Sequence, residues 1–194
     1  MIYTSIAGSY DSPREDVKCF GDKYLDRFPP RLAAKIYKCL PHLFMPDEEW
    51  WIWIDGNLKL KVSEEELIKL AGDTDVCVFE NPYRETVAEE KEEILKLGLD
   101  TKDNLWLPLQ ERKLPACFLI IRKNTPEVRR ENERWWALIS AGSQRDQISF
   151  PTAYSTIKRL PKVHPFENKY FTRYGHRLPR KLDTKPTGKG ARRD

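Results

Sequence analysis

Asp55, Gly56 and Asn57 follow directly on a run of strongly apolar residues, Trp50 to Ile54. The run has the length of a core strand, and Gly56 marks where the chain turns out of the sheet. A buried strand has no use for an unpaired carboxylate, so Asp55 reads as the polar end of that strand. Open α/β sheets hold their ligands at this end. Two oxygen-bearing side chains with a glycine between them can face one point beyond the sheet. Such a pair suits a hard divalent cation that takes the rest of its shell from substrate phosphates. A polar strand end followed by a turn is the plainer reading of the same residues. A second polar group, Arg145, Asp146 and Gln147, interrupts the apolar neighbourhood of "SQRDQISF" (143–150). A third comprises Arg84, Lys38 and His42, cationic or donor groups near the ends of expected elements. Taken singly, a charged triplet of this kind is more often a helix start, and a lone His is more often satisfied in place.

Alternating elements position these groups. Strands are expected over 2–8, 16–22, 50–54, 75–80 and 117–123, and helices over 31–40, 63–72, 86–98 and 125–140. Ser63 with Glu66 and Thr86 with Glu89 have the spacing of capping boxes, and Gly72 and Gly98 mark the stops. Thr125 followed by Pro126 opens the last helix. This alternation predicts an α/β fold with a largely parallel central sheet, with a domain over 1–160 and a basic, partly flexible extension over 161–194.

The bulk properties agree with a folded, soluble domain. The 194 residues are 40% hydrophobic and 33% charged, with a mean hydropathy of −0.67. No apolar stretch approaches a membrane span, and the start has no basic-then-apolar signal, so a cytoplasmic protein is expected. Cys19, Cys39, Cys77 and Cys117 are widely spaced and read as reduced core thiols rather than zinc ligands. The formal net charge is +4, but residues 173–194 are dense in Arg and Lys. That tail is either solvated or a contact for a polyanion. GxGxxG and GxxxxGK[ST] are absent, so neither a dinucleotide fingerprint nor a P-loop is supported.

Five blocks occur in order: "YTSIAGSYD" (3–11), "YKCLPHLF" (37–44), "WIWIDGNLKL" (51–60), "FENPYRETVAEE" (79–90) and "WWALISAGSQRDQISF" (135–150). Together they resemble the glycosyltransferase-like domain family of plant turgor-regulation and seed-mucilage proteins, which has small bacterial and phage members. The resemblance implies a GT-A fold, Rossmann-like, in which a DxD-type motif ends a central strand and holds a divalent metal, Mn²⁺ or Mg²⁺, against a UDP-sugar. It implies that Asp55 and Asn57 take the DxD positions, Asn57 being neutral where a full motif has a second carboxylate. It places Ala7, Gly8, Tyr10, Asp22, Lys38, His42, Asp55 and Arg84 around the donor, and Arg145, Asp146 and Gln147 at the sugar. His164 and His176 are both candidates to complete the metal shell. The implied activity is transfer of a sugar to an acceptor hydroxyl. The acceptor is a hydroxymethylated base in phage DNA, reached through the basic tail, or a glycan or glycolipid. A nucleotide-sugar-binding module with weak or lost catalysis is the alternative from another class.

Overall fold

Successive strand residues point to opposite faces, and the apolar run uses both. Trp51 and Trp53 enter one core cluster while Ile52 and Ile54 enter another across the sheet. A strand apolar on both faces must be covered on both, and it is. The computed structural model describes residues 1–8, 11–108 and 113–175. Among them the elements run β1 (Ile2–Ser5), β2 (Lys18–Phe20), α1 (Pro30–Cys39), β3 (Trp50–Ile54), β4 (Leu58–Leu60), α2 (Glu64–Ala71), β5 (Val76–Glu80) and α3 (Val87–Lys96). They continue with β6 (Pro115–Lys123), α4 (Pro126–Ala141), α5 (Asp146–Ala153), β7 (Lys158–Leu160) and β8 (Phe171–Arg173). Residues from α1, α4 and α5 share the first cluster with Trp51 and Trp53, and Leu67 and Ala71 of α2 share the second.

The main sheet has the order β2-β1-β3-β6-β5-β7. It corrects the expectation of a largely parallel sheet. The β1–β2, β1–β3 and β5–β7 ladders are parallel, but β6 is antiparallel to both β3 and β5. The sheet is therefore mixed. The cause lies in how β5 connects to β6. Asn81 N donates to Leu114 O at 2.9 Å and Leu114 N to Glu85 O at 2.7 Å, so the chain entering β6 is held beside the end of β5. From there it can only run back. The carboxyl ends of β1, β2, β3 and β5 consequently share one rim.

Local signals explain the helix ends. The Ser63–Glu66 capping box is complete, whereas at Thr86 only half of it forms. Thr86 Oγ1 accepts from Glu89 N, but the Glu89 carboxylate accepts instead from Glu85 N at 2.7 Å. Thr125 caps α4 by accepting from Val128 N. Cys39, Cys77 and Cys117 are buried free thiols, and Cys19 is half-buried. No helix among the described residues is long and apolar enough to cross a membrane.

The stretch after β7 does not simply trail away. β8 pairs antiparallel with β4, the short strand that follows the Asp55 turn, and Phe171 is fully buried.

Candidate functional site

Asp55 leaves β3 at the shared rim, its N–H still donating to Phe118 O at 2.8 Å. The turn that follows passes over Ile6, and a Cβ at position 56 would lie 3.1 Å from that side chain. Glycine lets the turn close there. The Asp55 carboxylate is partly exposed and sits among donors. Trp53 Nε1 donates to Oδ1 at 3.1 Å, Lys38 Nζ lies 3.5 Å from Oδ1, and an Arg173 guanidinium nitrogen lies 3.8 Å from Oδ2.

Lys38 is the centre of this cluster. Helical side chains lean toward the helix N-terminus, and α1 starts near the rim. The Lys38 side chain therefore climbs toward the rim, where Nζ lies 5.0 Å from the Trp53 ring centroid and donates to Asp146 Oδ2 at 2.6 Å. Lys35, one turn earlier, reaches the same oxygen at 2.8 Å. All three side chains are nearly buried. Burial alone would push the Asp146 carboxyl up, but the charges and hydrogen bonds of Lys35 and Lys38 outweigh it and hold it below the usual carboxylate range. Burial likewise opposes the charge on Lys38, yet Asp146 and Asp55 together raise its pKa. Lys35 has less compensation, so burial leaves its pKa below that of an ordinary lysine. A carboxylate held this firmly ionised is a weak proton acceptor, since a general base works best with a pKa near the working pH. Its geometry suits fixing two lysines.

The neighbouring groups are anchored as well. Gln147 Oε1 accepts from Asn81 Nδ2 at 3.0 Å, and Asn81 Oδ1 accepts from the backbone N–H groups of Tyr83 and Arg84. Arg145 directly precedes α5, its N–H donating to Ser143 Oγ. The Arg84 side chain pairs with Glu90 on α3. The loop after β1 is tied down by Asp22, whose Oδ1 accepts from Gly8 N at 2.7 Å. Gly8 has φ +72°, a left-handed conformation that glycine adopts without strain. Ala7 beside it is buried.

Two expected members stand elsewhere. His42, placed with Lys38 around the donor by the resemblance, lies just beyond the end of α1, on the far side of Lys38 from the rim. There it faces Trp51, with Nε2 3.5 Å from Glu133. Trp51 is about 13 Å back along the strand from Asp55 at the usual rise per residue. His42 is thus removed from the cluster because Lys38 reaches the rim only by the length of its stem. His164 closes a local turn, Nδ1 accepting from Glu167 N at 3.1 Å. Tyr10 and His176 lie outside the described residues. Arg173, grouped by sequence with the basic tail, is turned inward over the Phe118 ring at 4.8 Å. Sequence reasoning does not find Lys35, Arg173 or Asn81. Only Lys35 has a usable signal there, as a second lysine three residues before Lys38 on a helix that must bury one side.

A divalent cation at this rim would find one carboxylate, Asp55, and the amide of Asn57, whose Nδ2 donates to Tyr174 O at 2.9 Å. Among the described residues no group of three His, Cys, Asp or Glu converges on a point. One carboxylate and one amide do not make a closed structural metal site, and a cation here would need a substrate's phosphates to complete its shell.

No protein-family model matches the chain, and no curated protein does. Among solved structures it is similar to a glycosyltransferase involved in the glycosylation of the major capsid of PBCV-1. That likeness has 9% identity and a TM-score of 0.47, and covers 82% of this chain and 81% of the other. It is also similar to the apo structure of the bifunctional glycosyltransferase WbbM, at 13% identity and a TM-score of 0.42, over 76% of this chain. The match spans 29% of WbbM.

Proposed function

We propose that the chain is a glycosyltransferase that takes its sugar from a nucleotide-diphospho-sugar, UDP-sugar being the favoured donor. One observation carries this reading. At the rim where strands end, Lys35, Lys38 and Arg173 meet Asp55 and Asp146, so the cluster has more cations than carboxylates. A site of this kind attracts a polyanion while keeping its cations in fixed directions.

The reaction asks for such a site. The bond between the anomeric carbon and the β-phosphate oxygen breaks, and its electron pair leaves on that oxygen. The acceptor hydroxyl oxygen bonds to the anomeric carbon and releases its proton to solvent or to a base. Negative charge therefore grows on the diphosphate, where Lys38 and Arg173 can stabilise it. Lys35 and Asp146 keep Lys38 from collapsing onto Asp55, and Gln147, fixed by Asn81, offers an amide toward the sugar. Asp55 and Asn57 would hold Mn²⁺ or Mg²⁺, which when bound supplies further neutralisation of the diphosphate.

The acceptor divides the proposal into a hydroxymethylated base in DNA and a glycan or glycolipid. Incubating the chain with a panel of nucleotide-diphospho-sugars, with and without Mn²⁺ or Mg²⁺, tests the donor half. Release of UDP from a UDP-sugar is expected. No binding and no release with any member of the panel refutes an enzyme of this class, and binding without release points to the nucleotide-sugar-binding module.

A further inference from the structure

Arg122 lies on β6 below the rim and is fully buried. Its guanidinium donates to Asn132 Oδ1 at 2.6 Å, Tyr154 Oη at 3.0 Å, Tyr3 Oη at 2.5 Å and the backbone carbonyl of Lys38 at 2.6 Å. Among the described residues no carboxylate forms an ion pair with it. Burying a cation among neutral partners is costly, and a well-packed apolar residue often fills such a place with no cost in stability. The partners show what the charge does there. Tyr3 is on β1, Lys38 in the last turn of α1, Asn132 on α4, and Tyr154 caps the end of α5. The Lys38 carbonyl belongs to the negative end of the α1 dipole, where a cation is favoured. Tyr154 Oη also donates to Asn132 Oδ1 at 2.6 Å, which closes the network. Burial pushes the Tyr3 hydroxyl up to about 12, so it is protonated at neutral pH and can donate to the same carbonyl at 3.3 Å.

These contacts brace the two helices that carry opposite halves of the charge cluster. Lys35 and Lys38 ride on α1, and Asp146 opens α5. We propose that Arg122 is a positioning residue that joins the end of α1 to the end of α5 and so sets the distance at which the two lysines meet Asp146. Its consequence for donor binding rests on the glycosyltransferase reading, but the brace itself does not.

The test is therefore read without donor. In chain carrying ¹⁵N-lysine, the ammonium signal of a buried, hydrogen-bonded lysine stays visible near neutral pH because its protons exchange slowly. The Lys38 signal is identified by its disappearance in Lys38→Met. Arg122→Met is expected to melt cooperatively yet lose this signal. Arg122→Lys, which cannot fork to four partners, is expected not to restore it. Ile139→Ala, an equally buried change in the same core cluster, should leave it in place. An unchanged Lys38 signal in folded Arg122→Met overturns the proposal, as does its disappearance in Ile139→Ala or its full return in Arg122→Lys. Should Arg122→Met fail to fold, Tyr154→Phe removes one partner at nearly constant volume. It is expected to speed Lys38 proton exchange severalfold, and unaltered exchange there overturns the proposal equally. In a donor titration, folded Arg122→Met should weaken UDP binding about tenfold. If the native chain binds no member of the nucleotide-diphospho-sugar panel while the ammonium results hold, the glycosyltransferase reading falls and the brace stands.

Discussion

Replacing Asp146 with Asn keeps the size of the side chain and removes the charge that Lys35 and Lys38 share. Lys38 is left with Asp55 at 3.5 Å and the Trp53 ring, but Lys35 is deprived of the one carboxylate it pairs with among the described residues. Removing one partner of a buried ion pair costs about 3–5 kcal/mol. The lower end applies here because one lysine keeps a partner, so about 3 kcal/mol is expected. In a chain of this size that lowers Tm by roughly 6–12 °C. The pH dependence is the sharper signature. Asp146 ionises below the usual range in the folded chain, so its contribution is full above the unfolded carboxylate pKa of about 4 and fades only as pH falls below it. The gap between native chain and variant should therefore be flat from about pH 8 to pH 5. Toward alkaline pH it should narrow. Lys38, whose folded pKa is raised, loses its stabilising charge as pH rises in the native chain. Lys35, already depressed, is costly while charged in the variant and is relieved as it deprotonates. Thermal melts of both proteins across this range decide the matter. An equal Tm at neutral pH, or a gap that widens as lysines deprotonate, refutes the assigned charge network.

Asp55→Ala should leave the melt nearly unchanged and abolish UDP release, as measured by a coupled nucleotide assay; full release would remove Asp55 from the site. Excess EDTA should suppress that release, and Asn57→Asp should tighten Mn²⁺ binding in a calorimetric titration if the amide is a ligand. Lys38→Met should raise the UDP dissociation constant roughly tenfold to a hundredfold, the range for one charge-assisted hydrogen bond, whereas unaltered affinity would place the diphosphate elsewhere. If DNA is the acceptor, deleting residues 179–194 should flatten the salt dependence of duplex binding by about 0.9 in log–log slope for each phosphate that the tail neutralises. Arg173→Gln should instead weaken UDP binding, because that side chain faces Asp55.

Elements with local signals are legible in the sequence. The Ser63 capping box, the Thr125-Pro126 start of α4 and the apolar run of β3 all form where their residues indicate. Asp55 is legible for the same reason, since a carboxylate directly after a core strand has few places to go. The direction of β6 is not, because it depends on where Leu114 bonds relative to Asn81 and Glu85, and no periodicity records that. Arg122 is hidden inside "CFLIIRK", where two cations closing an apolar strand look like its solvated end. The Asp146 triplet does stand at a helix start, yet its two lysines sit more than a hundred residues earlier. Sequence spacing cannot show such partners.

The pairing of β8 with β4 also bears on when the site comes into being. Asp55 and Lys38 are made early, Asp146 much later, and Arg173 after the whole main sheet. Contacts so distant along the chain form late, after local helices and hairpins have settled. During synthesis the nascent domain would pass through a stage with β3 formed and its charged rim lacking Asp146 and Arg173. A ribosome stalled before residue 171 would thus display a sheet with its charge balance unfinished, in which Asp55 has not met all the partners that fix it. Competence to hold a polyanion would then arrive as one of the last events of folding, gated by a three-residue strand.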